Sequence, residues 1–153
     1  MKYKSTRNSD IRLEASEVIV KGISDEGGLF VPESLPNISA LLPQFAKLNY
    51  SSLAAEIFRL YLSDFSFSEI ENCVRSAYSE AKFGVEPVKL VSLPGRENKH
   101  VLELWHGPTC AFKDMALQIL PHFLTAALNK SAPNSEAVIL VATSGDTGKA
   151  ALE

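Results

Sequence analysis

Apolar positions along this chain recur in several distinct rhythms, and each predicts an element. Ile70, Cys73, Val74, Ala77 and Tyr78 fall at i, i+3, i+4, i+7 and i+8, the single buried stripe of an amphipathic helix. Ser68 followed by Glu71 predicts a capping box at its start. Leu53, Ile57, Leu60 and Tyr61 space another helix across residues 51–63. Upstream, Ala15, Val18 and Ile19 predict a shorter helix over residues 14–22, stopped by Gly22. Tyr3 to Arg7 reads as a short edge strand. Asp25 to Pro32 reads as a glycine turn leading into a short apolar run. The proline-rich stretch from Pro32 to Pro43 reads as loop with a brief helix. Residues 1–84 are thus expected to form a mainly helical domain with a small strand contribution.

The rhythm changes at Phe83-Gly84-Val85-Glu86-Pro87. Val88–Leu93 and His100–Trp105 read as strands joined by a turn at Pro94-Gly95. Residues 109–129 predict one long helix, apolar on most sides through Phe112, Met115, Ala116, Ile119, Leu120, Phe123, Leu124, Ala127 and Leu128. Such a helix belongs inside a larger protein, and Pro121 is expected to kink it. Ala137–Ala142 is a continuous apolar run, the pattern of a parallel strand covered on both faces. Strand, helix, strand and helix start make an α/β unit. Residues 85–153 are expected to begin a parallel-sheet α/β domain, with the 109–129 helix packed against its strands. The last helix pattern, Asp146 to Glu153, stops short of the usual ~10–14 residues and has no cap. The chain is therefore expected to be the front part of a longer protein.

Composition narrows the function classes. Of 153 residues, 46% are apolar and 22% charged, and the net charge of −3 is scattered along the chain, so no basic nucleic-acid footprint is present. No apolar run approaches the ~20 residues of a membrane span. The N-terminus is basic, but no apolar signal core follows it. Cys73 and Cys110 stand far apart in helical patterns, which argues for free thiols in a reducing compartment, the cytoplasm. No metal-ligand spacing occurs.

The chemistry concentrates in two places. Lys113 stands at the head of the most apolar helix pattern, with Phe112, Met115 and Ala116 around it. An ordinary helix lysine snorkels its ammonium to water. A desolvated one can have a depressed pKa and condense with a carbonyl, and the aldehyde of pyridoxal phosphate is the usual partner. The second place is Thr143-Ser144-Gly145-Asp146-Thr147-Gly148, between a predicted buried strand and a helix start. Hydroxyls, glycines and free backbone N–H groups there suit an anion, although Ser144 or Asp146 also suits a plain helix cap. Gly148-Lys149 is not a phosphate-loop ending. That motif needs glycine where Thr143 stands and Ser or Thr where Ala150 stands. His106, before the Gly107-Pro108 turn, has no partner visible in sequence and reads as a turn residue. Cys110 reads as a small buried hydrophobe.

Glu103-Leu104-Trp105-His106-Gly107-Pro108-Thr109-Cys110-Ala111-Phe112-Lys113-Asp114 closely resembles the cofactor-lysine segment of the threonine synthase family. Ala142-Thr143-Ser144-Gly145-Asp146-Thr147-Gly148 is similar to that family's substrate loop, and Tyr3–Arg7 and Gly22–Pro32 resemble its opening segments. The likeness runs in order along essentially the whole chain. It implies a pyridoxal-phosphate lyase of the tryptophan-synthase-β-like fold that converts O-phosphohomoserine and water to threonine and phosphate. On that likeness Lys113 holds the cofactor and shuttles protons, and Asp146 approaches the cofactor's 3-oxygen. Thr143, Ser144, Gly145 and Thr147 grip the substrate's anionic end. Lys149 stands where the family usually has a small residue. The family's phosphate-binding glycine loop and its pyridine-nitrogen partner lie further along than Glu153. Two other readings compete: a phospholyase of the same fold acting on another substrate, and a non-catalytic interaction module derived from it. Residues 1–153 alone are expected to show no turnover, to retain little cofactor, and to self-associate through the apolar patch of the 109–129 segment.

Overall fold

A computed structural model describes residues 1–143 and 145–153. The chain forms two separate two-stranded antiparallel sheets and a set of packed helices. β1 (Tyr3–Ser5) pairs with β2 (Phe30–Pro32) in the register Lys4 opposite Val31. Between them runs α1 (Ala15–Lys21), which ends at Gly22 with a φ of 72°. Glycine alone enters that left-handed region without steric cost. The brief helix expected in the proline-rich stretch is α2 (Leu42–Phe45).

α3 (Tyr50–Tyr61) begins at Asn49, whose side chain accepts the Ser52 N–H at 2.9 Å. α4 (Phe67–Ala77) buries Ile70, Cys73, Val74 and Ala77, with Tyr78 buried at its C-terminal cap. The periodicity therefore delivers the stripe it predicts. The capping box does not sit at Ser68 and Glu71. Ser66 is the cap: its hydroxyl accepts the Glu69 N–H at 3.3 Å, and Glu69 returns to accept the Ser66 N–H at 2.7 Å. Ser66-Phe67-Ser68-Glu69-Ile70-Glu71 holds two overlapping frames. The earlier one adds helix and lets Glu69 pair with Lys130 at 3.0 Å.

α5 (Glu80–Phe83) leads to β3 (Lys89–Ser92) and β4 (His100–Glu103). These strands were expected to be parallel in type. They form an antiparallel hairpin with Leu90 opposite Leu102. The reason is chain length: residues 93–99 cannot make the crossover of roughly a dozen or more residues that parallel neighbours need.

The single helix expected over 109–129 is two helices, α6 (Asp114–Leu117) and α7 (Leu120–Ser131). Pro121 lacks an N–H and its ring collides with the carbonyl four residues back, so a continuous helix breaks ahead of it. In the first turn of α7 the missing donor costs nothing. Nor does α7 lie on the hairpin. It packs on α1 and α4. Ile119, Phe123 and Ala127 join Ala15, Ala55, Leu62, Phe65, Ile70 and Val74 in one core. Small residues permit the close crossing, and the Ser131 hydroxyl reaches the Ser16 hydroxyl at 2.7 Å. Leu120 and Phe112 stay exposed, so the segment is not buried on all sides.

Ala137–Ala142 is not a strand. Strand geometry needs a hydrogen-bonding neighbour, and none lies beside it among the described residues; Val138 and Leu140 are 82% and 91% exposed. α8 (Asp146–Leu152) follows and packs against α6.

Candidate active site

Lys113 lies at the junction between a turn and α6. Its carbonyl accepts the N–H groups of Ala116 and Leu117 at 3.1 and 2.9 Å, which makes it the N-terminal cap of that helix. The side chain is half-buried, and Nζ stands 4.7 Å from the centroid of the exposed Phe112 ring. Among the described residues no carboxylate lies within ion-pair distance of it.

The helix that carries Lys113 is tied to the helical layer from below. The Tyr78 hydroxyl donates to the Met115 carbonyl at 2.7 Å, and Lys82 Nζ donates to Gln118 Oε1 at 2.8 Å. Burial pushes the Tyr78 hydroxyl well above the usual tyrosine range, and the adjacent Tyr50 adds to the effect. Tyr78 thus remains a neutral donor.

The turn ahead of Lys113 is closed by Asp114, which has no exposed surface. Its carboxylate accepts the Thr109 N–H at 2.9 Å and the Thr109 hydroxyl at 2.6 Å. Gly107 packs directly on it. Cys110 is not buried as expected. It sits exposed at the apex of the turn with a φ of 59°, because the closure from Thr109 to Asp114 consumes the first residues that the helix pattern promised.

His106, read from the sequence as a turn residue with no visible partner, has one in the fold. Its Nε2 lies 2.9 Å from Glu103 Oε2, and Trp105 leans over its ring at 5.8 Å between centroids. Glu103 ends β4, three residues earlier; only the bend after the strand turns the two side chains together. The signal in sequence was an acid three residues from a histidine, which is too common to act on.

In the second segment, Asp146 opens α8 and is exposed, as is Thr147. The Thr143 hydroxyl accepts the Gly145 N–H at 3.4 Å, and the helix cap is Gly145, neither of the two residues, Ser144 and Asp146, that the plain-cap alternative named. Gly148 is buried against the Thr143 methyl group, which leaves no room for a Cβ. Ser144 lies outside the described residues. A cavity of about 470 Å³ opens here, lined by Ile139, Val141, Thr143, Gly145, Gly148 and Lys149. The contact of α8 with α6 brings the two predicted segments onto neighbouring helices. Lys113 does not line this cavity.

The profile of the family described as threonine synthase N terminus matches residues 2–78. The chain belongs to the threonine synthase family. A threonine synthase from Saccharomyces cerevisiae is 34% identical over 162 residues, covering 98% of this chain and 32% of that protein. The crystal structure of a pyridoxal-phosphate-bound threonine synthase from Brucella melitensis superposes with a TM-score of 0.87 at 34% identity, over 99% of this chain and 32% of that one. The human protein threonine synthase-like 2 is 36% identical over 156 residues, covering all of this chain and 31% of its own length. This chain therefore spans about a third of the length of the threonine synthases it matches. Its mixed α/β fold is that of the matching part of those structures.

Proposed function

We propose that this chain supplies the lysine-bearing part of a threonine synthase, a pyridoxal-phosphate lyase that converts O-phosphohomoserine and water to threonine and phosphate. The observation that carries this reading is Lys113: an amine with no carboxylate partner among the described residues, held at a helix junction by a turn closed on the buried Asp114. Those surroundings fit the cofactor, since an amine not committed to an ion pair is available to an aldehyde. When bound, pyridoxal phosphate supplies an aldehyde that condenses with an amine, releasing one water, and a ring that accepts electrons from the substrate. Lys113 holds that group and moves protons at Nζ. Asp146 is assigned to the cofactor's ring oxygen. Thr143, Ser144, Gly145 and Thr147 are assigned to the anionic end of the substrate. The division into residues 1–84 and 85–153, the second part opening the cofactor domain, and a cytoplasmic setting for the free thiols belong to the same reading.

A second reading keeps the cofactor and changes the substrate. The likeness to threonine synthase-like 2 is as high as that to the yeast threonine synthase, at 36% against 34%. It supports another phospholyase of the same fold equally well.

Full-length protein loaded with pyridoxal phosphate and reduced with borohydride tests both readings. Label is expected on Lys113 and is lost in Lys113→Ala; arginine at this position does not restore it, because it stays protonated. Label on Lys130 or Lys149 instead would sink the assignment. Incubation with O-phosphohomoserine is expected to release phosphate and threonine in equal amounts. Phosphate released with another carbon product selects the second reading.

A further inference from the structure

Asp114 is a buried carboxylate that the proposed reaction does not use. Acids in the first turn of a helix usually sit at the surface, near the helix's own free N–H groups. Asp114 turns the other way. It has no exposed surface and spends both oxygens on Thr109, five residues earlier. Both bonds are charge-assisted and therefore among the stronger kind. Thr109 is itself buried. A Cβ at Gly107 would lie 2.5 Å from Asp114 Oδ2 and 2.8 Å from the Phe83 ring, so only glycine lets the turn seat on the carboxylate. The closed loop carries Cys110 at a φ of 59°, a conformation that costs a non-glycine residue energy. Lys113 is the last residue inside this loop.

We propose that the Thr109–Asp114 clamp is a positioning device for Lys113, fixing the backbone from which the amine projects without touching cofactor or substrate. The inference rests on the reading of Lys113 as the cofactor lysine. Its physical basis is that α6 spans only Asp114–Leu117 and has too few internal hydrogen bonds to hold its own start. The ties at Met115 and Gln118 hold its body. On the other side of Lys113, backbone bonds from the Cys110 N–H to Gly107 and from the Asp114 N–H to Ala111 bend the chain, and the clamp is the side-chain tie that closes the turn. Asp114 forms no ion pair with Lys113, so its influence on the amine runs through the backbone.

Thr109→Val and Thr109→Ser in the full-length protein test this. Valine keeps the shape and removes the hydroxyl donor, whereas serine keeps the donor. Two measurements are compared with thermal unfolding. One is competitive acylation of Lys113 against Lys130 in protein without cofactor. The other is the rate of covalent capture of added pyridoxal phosphate, followed by absorbance and by borohydride-fixed label. Thr109→Val is expected to slow capture about tenfold or more and to change the acylation ratio, while Thr109→Ser stays within about twofold of wild type. Wild-type capture and acylation in Thr109→Val overturn the proposal. So does a Thr109→Ser variant that falls as far as Thr109→Val. If Thr109→Val does not fold, Asp114→Asn replaces it: slowed capture supports the clamp, and a wild-type rate overturns it. A wild-type protein that takes no label on Lys113 defeats the cofactor reading instead, and the acylation ratio then still decides the clamp.

Discussion

The hydroxyl of Tyr78 donates a 2.7 Å hydrogen bond to the carbonyl of Met115, tying the end of α4 to the helix that carries Lys113. Tyr78→Phe keeps the edge-on ring contacts with Tyr50 and Phe83, at 5.1 and 5.6 Å, and removes this bond along with the hydroxyl's interaction with Tyr50. It is expected to cost about 1 kcal/mol of stability, read as a lower unfolding midpoint in denaturant. An unchanged midpoint would show that α6 is held by other contacts.

Two serines compete for the start of α4, and the structure selects Ser66. Ser66→Ala is expected to destabilise by about 1 kcal/mol, the usual cost of losing a cap, and Ser68→Ala by less than about half of that. Denaturant titrations of the two variants check this. Equal losses would mean the helix shifts between frames.

Phe123 joins α7 to the core, edge-on to Phe58 at 4.9 Å and to Phe65 at 6.1 Å. Phe123→Ala is expected to cost about 3–5 kcal/mol, the range for a buried aromatic replaced by a cavity. A loss near that of a surface substitution would contradict the packing of α7 on α1 and α4.

His122 carries a pH dependence. Burial, helped by the neighbouring Lys82, lowers its pKa below the ordinary histidine value. Between the folded pKa and the unfolded one near ~6.5, the unfolded chain binds more protons, so stability rises with pH. The destabilisation is absent above the unfolded pKa and complete below the folded one. Unfolding midpoints from pH 5 to 8 are expected to rise through the mildly acidic region. His122→Gln is expected to flatten part of that rise.

Thr147 is exposed in the first turn of α8, free to meet a ligand. In the full-length protein Thr147→Ala is expected to lower kcat/KM for O-phosphohomoserine about tenfold to a hundredfold, as for a lost hydrogen bond to a charged group. Cofactor retention is expected to stay near wild type. Unchanged kcat/KM would reduce the segment to a helix start.

What could be read from the sequence was local. The stripe on α4, the stop at Gly22 and the turn at Gly95 depend on residues within a few positions of one another, where periodicity and backbone preference act directly. The segment around Lys113 was also legible, because its residue types in that order resemble a known family. The connection between β3 and β4 was short enough to require antiparallel pairing, and the parallel expectation overlooked a constraint already present in the chain.

Contacts across the chain decided the rest. Which apolar face of residues 109–131 is buried followed from the distant α1 and α4, and Ser16 meets Ser131 across 115 positions. The choice of Ser66 over Ser68 came with the Glu69–Lys130 pair. Ala137–Ala142 had every local mark of a strand, yet a strand is made by its neighbour, and none stands beside it among the described residues. Asp114 drew no reading of its own from the sequence; the fold makes it a buried clamp on Thr109, with Gly107 seated against it. The sequence by itself determined the amphipathic stripe of α4 and the resemblance of the Lys113 segment to the threonine synthase family. Only tertiary structure decided which polar groups are buried together, because the cost of burying a charge is set by partners that arrive with the fold.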